Sequence, residues 1–342
     1  MGDMQYDVVV IGGGPAGLAA AMFAARRGLR TQVVSKDVGG QLSLTAWIEN
    51  YPGIDGIGGR ALVDCMLAQA KRDGADWWMG EATSIVRNEG GGFTVSLRQG
   101  TPFVTKTIIL AFGLTPNDLG ATGEHALAGK GVYYSAVDDA PQQEGKTIAV
   151  VGGGNSAVTA ALALAPRAAK VHLIHRRAKL NAEKPLLKAL ATHRNIETHL
   201  AQQVVELRGT EHVSAMVLAP TDPETGVVLS DPSDLATLLI DSVFVQIGFR
   251  ANTQWLADVV ALNAKREVIT SKDCETSTPG IFAAGDLCDI AYKQAAVSVG
   301  EGVKAALQAF KYLQEHAGKP AVMFDWDVRE ERGAAAQEAA SP

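Results

Sequence analysis

A run of β-branched residues that stops at a glycine cluster is the feature that most constrains how this chain folds. Residues 7–17 read DVVVIGGGPAG, and residues 18–27 continue as an alanine-rich segment. The run predicts a fully buried parallel strand, and the glycines predict a tight turn into a helix. Gly12, Gly14 and Gly17 have the spacing G-x-G-x-x-G. In that arrangement backbone amides and the helix N-terminus face a pyrophosphate, so the stretch predicts a dinucleotide site.

The same arrangement occurs a second time. Residues 147–151 predict another buried strand, and residues 152–157 (GGGNSA) have the spacing G-x-G-x-x-A before an alanine-rich helix. The next strand, residues 170–174, ends in His175, Arg176 and Arg177, where an NAD enzyme commonly has a carboxylate near the ribose. Arginine forks match a phosphate dianion, so this cluster favours NADP(H) over NAD(H). The alternative interpretation is a solvated basic cluster at a strand end.

Length and composition agree with a chain of two α/β domains. The sequence has 342 residues, of which 47% are hydrophobic and 20% charged, and its net charge is −6. The negative charge gives no general attraction to nucleic acid or to anionic lipid. There is no apolar run near the roughly 18–20 residues that a membrane span needs, and the start, MGDMQYD, lacks a signal-peptide pattern. We therefore expect no nucleic-acid partner and no membrane association.

Cysteine usage predicts a reducing compartment. The three cysteines, Cys65, Cys274 and Cys288, are widely spaced and form no C-x-x-C. They predict no structural disulfide and no metal site, which is consistent with a cytoplasmic protein.

Between and after the two glycine loops, the pattern predicts further elements. Residues 60–73 predict a helix whose stripe of Leu62, Met66 and Ala70, with Cys65 included, packs in the core. Residues 77–113 alternate in the manner of antiparallel strands. Residues 114–117 and 249–252 are interpreted as hinges, and residues 280–289 (GIFAAGDLCD) predict a strand that delivers Asp286 to accept hydrogen bonds from ribityl hydroxyls.

Taken in order, the motifs GGGPAG, GGQL, IENYPG, GGGNSA, HRR, FAAGD and YKQA resemble the low-molecular-weight thioredoxin reductase branch of the FAD-dependent pyridine-nucleotide oxidoreductases. The resemblance implies an α/β fold of two Rossmann-like three-layer domains. A discontinuous FAD domain takes residues 1–115 and 248–320, and an NAD(P)H domain, residues 116–247, is inserted between its parts. Residues 321–342 form a C-terminal tail.

The resemblance also implies which residues hold the cofactors FAD and NADPH. The residues expected at FAD are Gly12, Gly14, Pro15, Ala16, Gly17, Ser35, Lys36, Gly40, Gln41, Leu42, Asn50, Ala111, Gly113, Gly285, Asp286, Lys293, Gln294 and Ala295. Those expected at NADP are Gly152, Gly154, Asn155, Ser156, His175, Arg176 and Arg177.

The chain departs from the family at its reactive dithiol. In the corresponding stretch, residues 132–140 (VYYSAVDDA), Ser135 and Asp138 stand at the two cysteine positions and Asp139 keeps the acid that follows them. Serine and aspartate form no disulfide and no thiolate, so dithiol chemistry is lost there. We interpret Ser135-x-x-Asp138 as a helix capping box. Asn181 stands where the family usually has a third phosphate-binding arginine, which leaves the choice between NADPH and NADH less firmly fixed.

These features predict an FAD-dependent NADPH oxidoreductase that passes electrons to an acceptor other than a disulfide. A ferredoxin- or flavodoxin-type protein and a small molecule are both open as acceptors. The alternative is a catalytically silent flavoprotein that acts as a redox or nucleotide sensor. The family is typically homodimeric, so a homodimer is expected. Phe324 and Trp326 in the tail are candidates for covering the flavin or for anchoring the tail.

Overall fold

A computed structural model of the protein describes residues 5–45, 47–134, 143–229 and 234–320. The strands in this part of the chain are β1 (Gln5–Ile11), β2 (Thr31–Ser35), β3 (Asp76–Met79), β4 (Ala82–Arg87), β5 (Phe93–Leu97), β6 (Phe103–Leu110), β7 (Thr115–Pro116), β8 (Val132–Tyr133), β9 (Thr147–Val151), β10 (Lys170–His175), β11 (Ile196–Leu200), β12 (Gln202–Gly209), β13 (Val213–Pro220), β14 (Ala236–Leu239), β15 (Ser242–Val245), β16 (Phe249–Arg250) and β17 (Ile281–Ala283). The α-helices are α1 (Pro15–Arg26), α2 (Gly59–Arg72), α3 (Asn155–Leu164), α4 (Lys184–Leu190) and α5 (Ala295–His316).

The chain divides into two compact units. The first extends up to Val38, from Cys65 to Gly113 and from Thr253 onward, and the second takes Gly39–Asp64 and Leu114–Asn252. The predicted domains differ from these units mainly at residues 39–64, which cluster with the second unit. The domain boundaries themselves remain a prediction. The tail, residues 321–342, lies outside the described residues.

The first unit is built on a mixed sheet of seven strands, with β1 at its centre. The order is β3-β2-β1-β6-β5-β4, and β17 pairs with the last part of β6. Strands β1, β2, β3, β6 and β17 pair in parallel, whereas β4 and β5 pair antiparallel with each other and β5 with β6. The buried parallel strand and following helix predicted from residues 7–27 are thus present as β1 and α1.

Two sequence expectations for the first unit need correction. Residues 77–79 lie in β3, which pairs in parallel with β2, so the antiparallel part of the sheet begins only at β4. Alternation does not separate a parallel edge strand, half open to solvent, from an antiparallel one. The stripe of Leu62, Met66 and Ala70 on α2 is buried as predicted, but Cys65 is exposed, because it lies off that stripe.

The face of this sheet that carries Val8 and Val10 is covered by α1 and α5. Both helices present small side chains to the core, namely Ala16, Ala20, Ala21 and Ala24 from α1 and Ala305, Ala306 and Ala309 from α5. Small side chains allow a close approach of helix to helix and helix to sheet. The glycine loop at the end of β1 is therefore held by a rigid, fully buried base.

The second unit contains a parallel sheet of five strands in the order β11-β10-β9-β15-β8. Its two faces pack against different layers. Ile148 and Val150 of β9 face the helix layer of α3, while Ala149 and Val151 face the antiparallel sheet β12-β13-β14. Burial on both faces explains the unbroken apolar sequence of β9.

A short antiparallel ribbon of β7 and β16 pairs the two segments predicted as hinges. Phe249 lies opposite Pro116 and Arg250 opposite Thr115. The Arg250 guanidinium donates to Asp118 Oδ2 at 2.8 Å and to the Pro116 carbonyl at 3.2 Å. Two of the points where the chain passes between the units, at residues 113–114 and 252–253, are thus close in sequence to the strands of this ribbon. Whether it acts as a hinge remains a prediction.

Candidate functional site: two glycine loops at strand ends

The first glycine loop, Gly12–Gly14, joins β1 to α1 and is shaped by close backbone contacts. Gly12 has a φ of +116°, and a Cβ at this position would lie 2.4 Å from the Ala111 carbonyl oxygen. At Gly17 a Cβ would lie 2.0 Å from the carbonyl oxygen of Gly12. No side chain larger than hydrogen fits either position without backbone movement. The loop therefore brings the first turn of α1 directly over the end of β1, as the sequence predicts.

The carboxyl ends of neighbouring strands meet around this loop. Gly12 N donates to Val34 O of β2 at 2.8 Å, Ala111 N to Ile11 O of β1 at 2.7 Å, and Ala284 N to Leu110 O of β6 at 2.9 Å. Four predicted FAD residues of the first unit, Gly12, Ser35, Ala111 and Gly285, thus lie at or just past adjacent strand ends. This edge of a parallel sheet is where open α/β folds bind their ligands.

Asp286 is held in a polar setting at the end of β17. Ser298 Oγ of α5 donates to Asp286 Oδ1 at 3.1 Å, and Lys293 Nζ donates to the Asp286 carbonyl at 2.8 Å. Lys293 Nζ also pairs with Glu267 Oε1 at 3.0 Å. Burial raises the pKa of Asp286, while the bond from Ser298 and the charge of Lys293 oppose that shift. A partly buried carboxyl with spare acceptor capacity fits the predicted role of receiving hydroxyl hydrogen bonds.

Helix α5 begins at Ala295, with Gln294 as its N-cap residue, and no side chain caps it. The N-cap residue of α1 is Gly14, and no side chain caps that helix either. Amide groups in a first turn that no side chain caps, together with the helix dipole, favour a negatively charged group. Both helix starts therefore fit a dinucleotide with a pyrophosphate.

The end of β2 is followed by a charged side chain, Lys36. Ser35 is buried, and Lys36 Nζ pairs with Glu81 Oε1 at 2.6 Å. Arg98 also pairs with Glu81, and the pKa of that carboxyl is lowered by Arg98 first and then by Lys36. The ammonium of Lys36 is therefore balanced by an internal partner, which sequence reasoning had no means to foresee.

Four predicted FAD residues, Gly40, Gln41, Leu42 and Asn50, lie in the second unit. Gly40, Gln41 and Leu42 lie in a 3-10 helix, Gly40–Leu44, in which Leu42 is buried and Gln41 is exposed. Gln41 Nε2 donates to the Leu114 carbonyl at 2.8 Å. Asn50 is exposed in a loop that follows the isolated pairing of Ile48 with Ile57. The roles of these residues at FAD remain predictions.

The second glycine loop, Gly152–Gly154, joins β9 to α3. A Cβ at Gly152 would lie 2.2 Å from Gln246 O, so this glycine is required by the chain's own packing. A Cβ at Gly154 would meet no atom of the chain within 4 Å. The space above Gly154 and the uncapped start of α3 form a cradle that fits the phosphates of a nicotinamide dinucleotide.

Exposed polar side chains surround that cradle. Asn155 and Glu183 exchange two hydrogen bonds, each of 2.9 Å, from Asn155 Nδ2 to Glu183 Oε1 and from Glu183 N to Asn155 Oδ1. Asn181 N donates to Gly153 O at 2.6 Å. Asn181 thus lies beside the glycine loop. Sequence reasoning missed Glu183, and no spacing rule links it to Asn155.

The basic cluster follows β10 at the same sheet edge. Arg176 and Arg177 are exposed, and the His175 ring packs over Gly153, where a Cβ would lie 2.3 Å from it. Burial, followed by the charges of Arg176 and Arg177, lowers the pKa of His175. The imidazole is accordingly neutral at pH 7, and the two guanidinium groups carry the positive charge of the cluster.

The positions of the family's dithiol lie outside the described residues, since Ser135, Asp138 and Asp139 fall within residues 135–142. The capping-box interpretation therefore remains a prediction. Just before this segment, Tyr134 is anchored: its hydroxyl donates to Glu124 Oε1 at 2.9 Å, and Gln246 Nε2 donates to its carbonyl at 3.1 Å. Burial, with the bond to Glu124, raises the pKa of Tyr134, so the phenol stays protonated.

The cysteines of the chain are all free thiols. Cys274 and Cys288 are fully buried, and burial raises the pKa of both, that of Cys288 to about 12. Cys274 Sγ donates to Glu301 Oε2 at 3.0 Å. A protonated, buried thiol is a poor nucleophile, so Cys274 and Cys288 are unsuited to thiolate chemistry.

Two sheets with parallel central strands, each with a glycine loop before a helix at the carboxyl ends of those strands, define a dinucleotide-binding oxidoreductase of two-domain Rossmann type. The family model described as "Pyridine nucleotide-disulphide oxidoreductase" matches residues 6–302, and the chain belongs to that family. This confirms the predicted α/β fold, the oxidoreductase class and the cofactors FAD and NADPH.

Solved structures and curated relatives agree with this assignment. Thioredoxin reductase from Lactococcus lactis is 31% identical with a TM-score of 0.73, covering 91% of this chain and 99% of that one. The enzyme from T. acidophilum is 30% identical with a TM-score of 0.71, covering 92% and 100%. An alkyl hydroperoxide reductase subunit from Pseudomonas putida is 38% identical over 313 residues, which are 90% of this chain and 58% of that protein. The chain therefore spans less than two thirds of the curated relatives it matches.

Among the helices of the described residues, none is long and apolar enough to cross a membrane.

Proposed function

We propose that the chain is an NADPH oxidoreductase that delivers electrons from its flavin to an acceptor other than a disulfide, either a ferredoxin- or flavodoxin-type protein or a small molecule. The proposal rests on the number and the environment of the cysteines in the chain. The family's dithiol positions hold Ser135 and Asp138. Two of the three cysteines are buried protonated thiols, and the third, Cys65, is exposed without a neighbouring cysteine in the sequence.

In this proposal the residues of the first glycine loop bind the FAD pyrophosphate, and Asp286 orients the ribityl chain by accepting its hydroxyl hydrogen bonds. The second loop binds the nicotinamide dinucleotide over Gly154, and Arg176 and Arg177 hold its 2′-phosphate. When bound, the flavin supplies the hydride-accepting chemistry. The open space over Gly154 and the exposure of both arginines support nucleotide binding.

The relatives named as thioredoxin reductases and as alkyl hydroperoxide reductase suggest a redox partner protein. They also favour a second candidate, in which the chain serves a peroxide- or thioredoxin-reducing system through a dithiol carried elsewhere. A curated relative almost twice as long as the matched part leaves room for such a dithiol. The absence of a C-x-x-C from the sequence itself argues against disulfide reduction by this chain alone.

Rapid mixing of the flavin-loaded protein with NADPH under anaerobic conditions tests the first half of the proposal. We expect the flavin absorbance to bleach within the time of a catalytic turnover. A flavin that NADPH does not reduce would instead support the silent sensor.

Acceptor assays test the second half. NADPH consumption is followed with thioredoxin, ferredoxin, flavodoxin, quinones and dioxygen. We expect turnover with at least one acceptor that is not a disulfide and none above background with thioredoxin. Robust thioredoxin-dependent turnover would overturn the proposal. The double variant S135C/D138C serves as the comparison, because it restores the two thiols without altering either glycine loop.

A further inference from the structure

Three metal-ligating side chains come together on the second unit, apart from the residues of its glycine loop. His172 lies on β10, while Glu197 and His199 lie two residues apart on the neighbouring strand β11. His172 is paired with Glu197 in the parallel register, and Ile174 with His199. Since side chains alternate along a strand, Glu197 and His199 project from the same face of β11. The separation of 27 residues between the histidines explains why no spacing motif indicates this group.

The ligand atoms of these side chains are close enough to share one ion. His172 Nδ1 and His199 Nε2 are 2.9 Å apart, His172 Nδ1 and Glu197 Oε2 are 3.8 Å apart, and His199 Nε2 and Glu197 Oε1 are 3.6 Å apart. Ligands at about 2.0–2.2 Å from a tetrahedral zinc ion are separated from each other by about 3.3 Å. The three separations straddle that value, so small side-chain rotations suffice to bring all three atoms onto one ion.

The surroundings favour a transition metal over the alkaline-earth ions. Two imidazoles and one carboxylate are the donors that Zn²⁺ and its first-row neighbours prefer, whereas Ca²⁺ and Mg²⁺ prefer oxygen alone. The His172 side chain is 6% exposed and that of His199 14%, while Glu197 is 50% exposed. The two nitrogens are thus fixed in the protein, and the open side lets water complete the coordination.

A neighbouring ammonium group competes for the carboxylate of this cluster. Lys170 Nζ, from the same face of β10, pairs with Glu197 Oε2 at 2.5 Å. This ammonium competes with a cation for the carboxylate, and its removal strengthens metal binding.

We propose that His172, Glu197 and His199 form a binding site for one first-row divalent transition-metal ion, for which Zn²⁺ is the probe. Occupation of the site ties β11, which lies at the edge of the five-stranded sheet in the described residues, to β10. The site is independent of the flavin chemistry proposed above.

Zinc uptake by the flavin-loaded protein, prepared without a polyhistidine tag, tests the proposal. Equilibrium dialysis at micromolar free Zn²⁺ followed by elemental analysis measures zinc per chain, and thermal unfolding measures the gain in stability. We expect one zinc ion per chain and a higher unfolding midpoint with Zn²⁺ but not with Mg²⁺. No uptake at micromolar Zn²⁺ would overturn the proposal.

Variants locate the ion. E197Q alters a half-exposed side chain and is expected to weaken binding at least tenfold, and H199N by about a hundredfold, on the scale seen when metal sites lose a supporting or direct ligand. K170M is expected to tighten binding several-fold. The matched control is H212N, which removes an exposed histidine elsewhere on the same unit and leaves binding unchanged. Zinc bound as tightly by E197Q and H199N as by the unaltered chain would place the ion elsewhere and refute the site, provided that flavin content shows both variants folded.

Discussion

The two glycine loops are alike at their first glycine, where backbone packing excludes a Cβ from both Gly12 and Gly152, and differ at the last motif position, which is Gly17 in one and Ala157 in the other. In the first loop, a methyl group at Gly17 would approach the Gly12 carbonyl oxygen at 2.0 Å, so this glycine is needed by the chain itself. In the second loop the corresponding position is Ala157, which is buried in the helix layer. There the middle glycine, Gly154, has no atom of the chain within 4 Å of an added methyl group.

The comparison separates two reasons for a glycine in such motifs. One is packing, in which the turn and the helix lie too close for a side chain. The other is access, in which a ligand is to approach the backbone where the protein leaves space. Exposed basic side chains follow the strands beside both loops: Lys36, which pairs with Glu81, beside the first loop, and Arg176 and Arg177 beside the second.

The largest expected effect comes from adding a methyl group to the first loop. In G17A the new methyl collides with backbone, which does not move without displacing α1 from β1. We expect protein with little bound flavin and a strongly lowered unfolding midpoint, because overpacking against backbone costs about 1–3 kcal/mol or more. The ratio of flavin to protein absorbance measures the effect.

The contrasting change is G154A at the middle glycine of the second loop, which adds the same methyl group in open space. We expect normal flavin content and stability but a raised KM for NADPH. Full flavin content in G17A, or loss of flavin in G154A, would show that the comparison is wrong.

A change of nucleotide preference is the next largest effect. In R176A/R177A the guanidinium groups available to a 2′-phosphate are gone, and each charge-assisted hydrogen bond contributes about 1.5–3 kcal/mol. We expect kcat/KM for NADPH to fall by about a hundredfold or more while that for NADH changes little. Steady-state rates with both nucleotides measure it. R194A, which removes an exposed arginine elsewhere on the unit, is the control. Equal loss with both nucleotides would contradict phosphate recognition.

Local periodicity predicted most of the fold that supports these loops. The β-branched runs of β1 and β9 and the helices after them follow directly from the residues. The parallel pairing of β3 could not be predicted in this way, because the direction of pairing depends on a strand that is distant in sequence. Contacts between side chains that come together only after folding could not be predicted from the sequence either. Glu183 with Asn155 and Lys36 with Glu81 come from segments distant in sequence, and the His172–Glu197–His199 group is brought together by the register of β10 and β11.

Asp286, near the first loop, allows a further test of the proposed flavin site. Its raised pKa means that the folded chain holds the proton more tightly than the unfolded chain does. The stabilisation is therefore fully present below the ordinary value of 3.8 and is lost as the pH rises through the folded pKa. D286N removes this dependence. We expect the flavin-free variant to gain stability over the unaltered protein at neutral pH and to gain little near the ordinary pKa.

The same substitution removes a carboxylate acceptor, so flavin affinity is expected to fall by about tenfold to a hundredfold. Thermal unfolding at two pH values and flavin titration measure the two effects. S298A, which removes the donor to Asp286 but keeps the carboxylate, is the companion variant and is expected to raise the pKa of Asp286 further. A D286N protein that is less stable than the unaltered one at neutral pH would refute this account.

The smallest expected effect lies at the ribbon of β7 and β16. R250A breaks the contacts of Arg250 with Asp118 and Pro116, and both charged side chains are partly exposed, so its cost in stability is about 0–1 kcal/mol. If the ribbon serves as a hinge, its loss changes kcat and KM for NADPH together, by less than about tenfold, because a hinge governs closure rather than contact with the nucleotide. The ratio of NADPH to NADH activity then stays constant, in contrast to R176A/R177A. Kinetics with both nucleotides, alongside R250K, which keeps the charge but not the fork, decide the matter. A change in that ratio would indicate that Arg250 acts in nucleotide binding rather than in a hinge. Unchanged kcat and KM would indicate that the ribbon has a purely structural role.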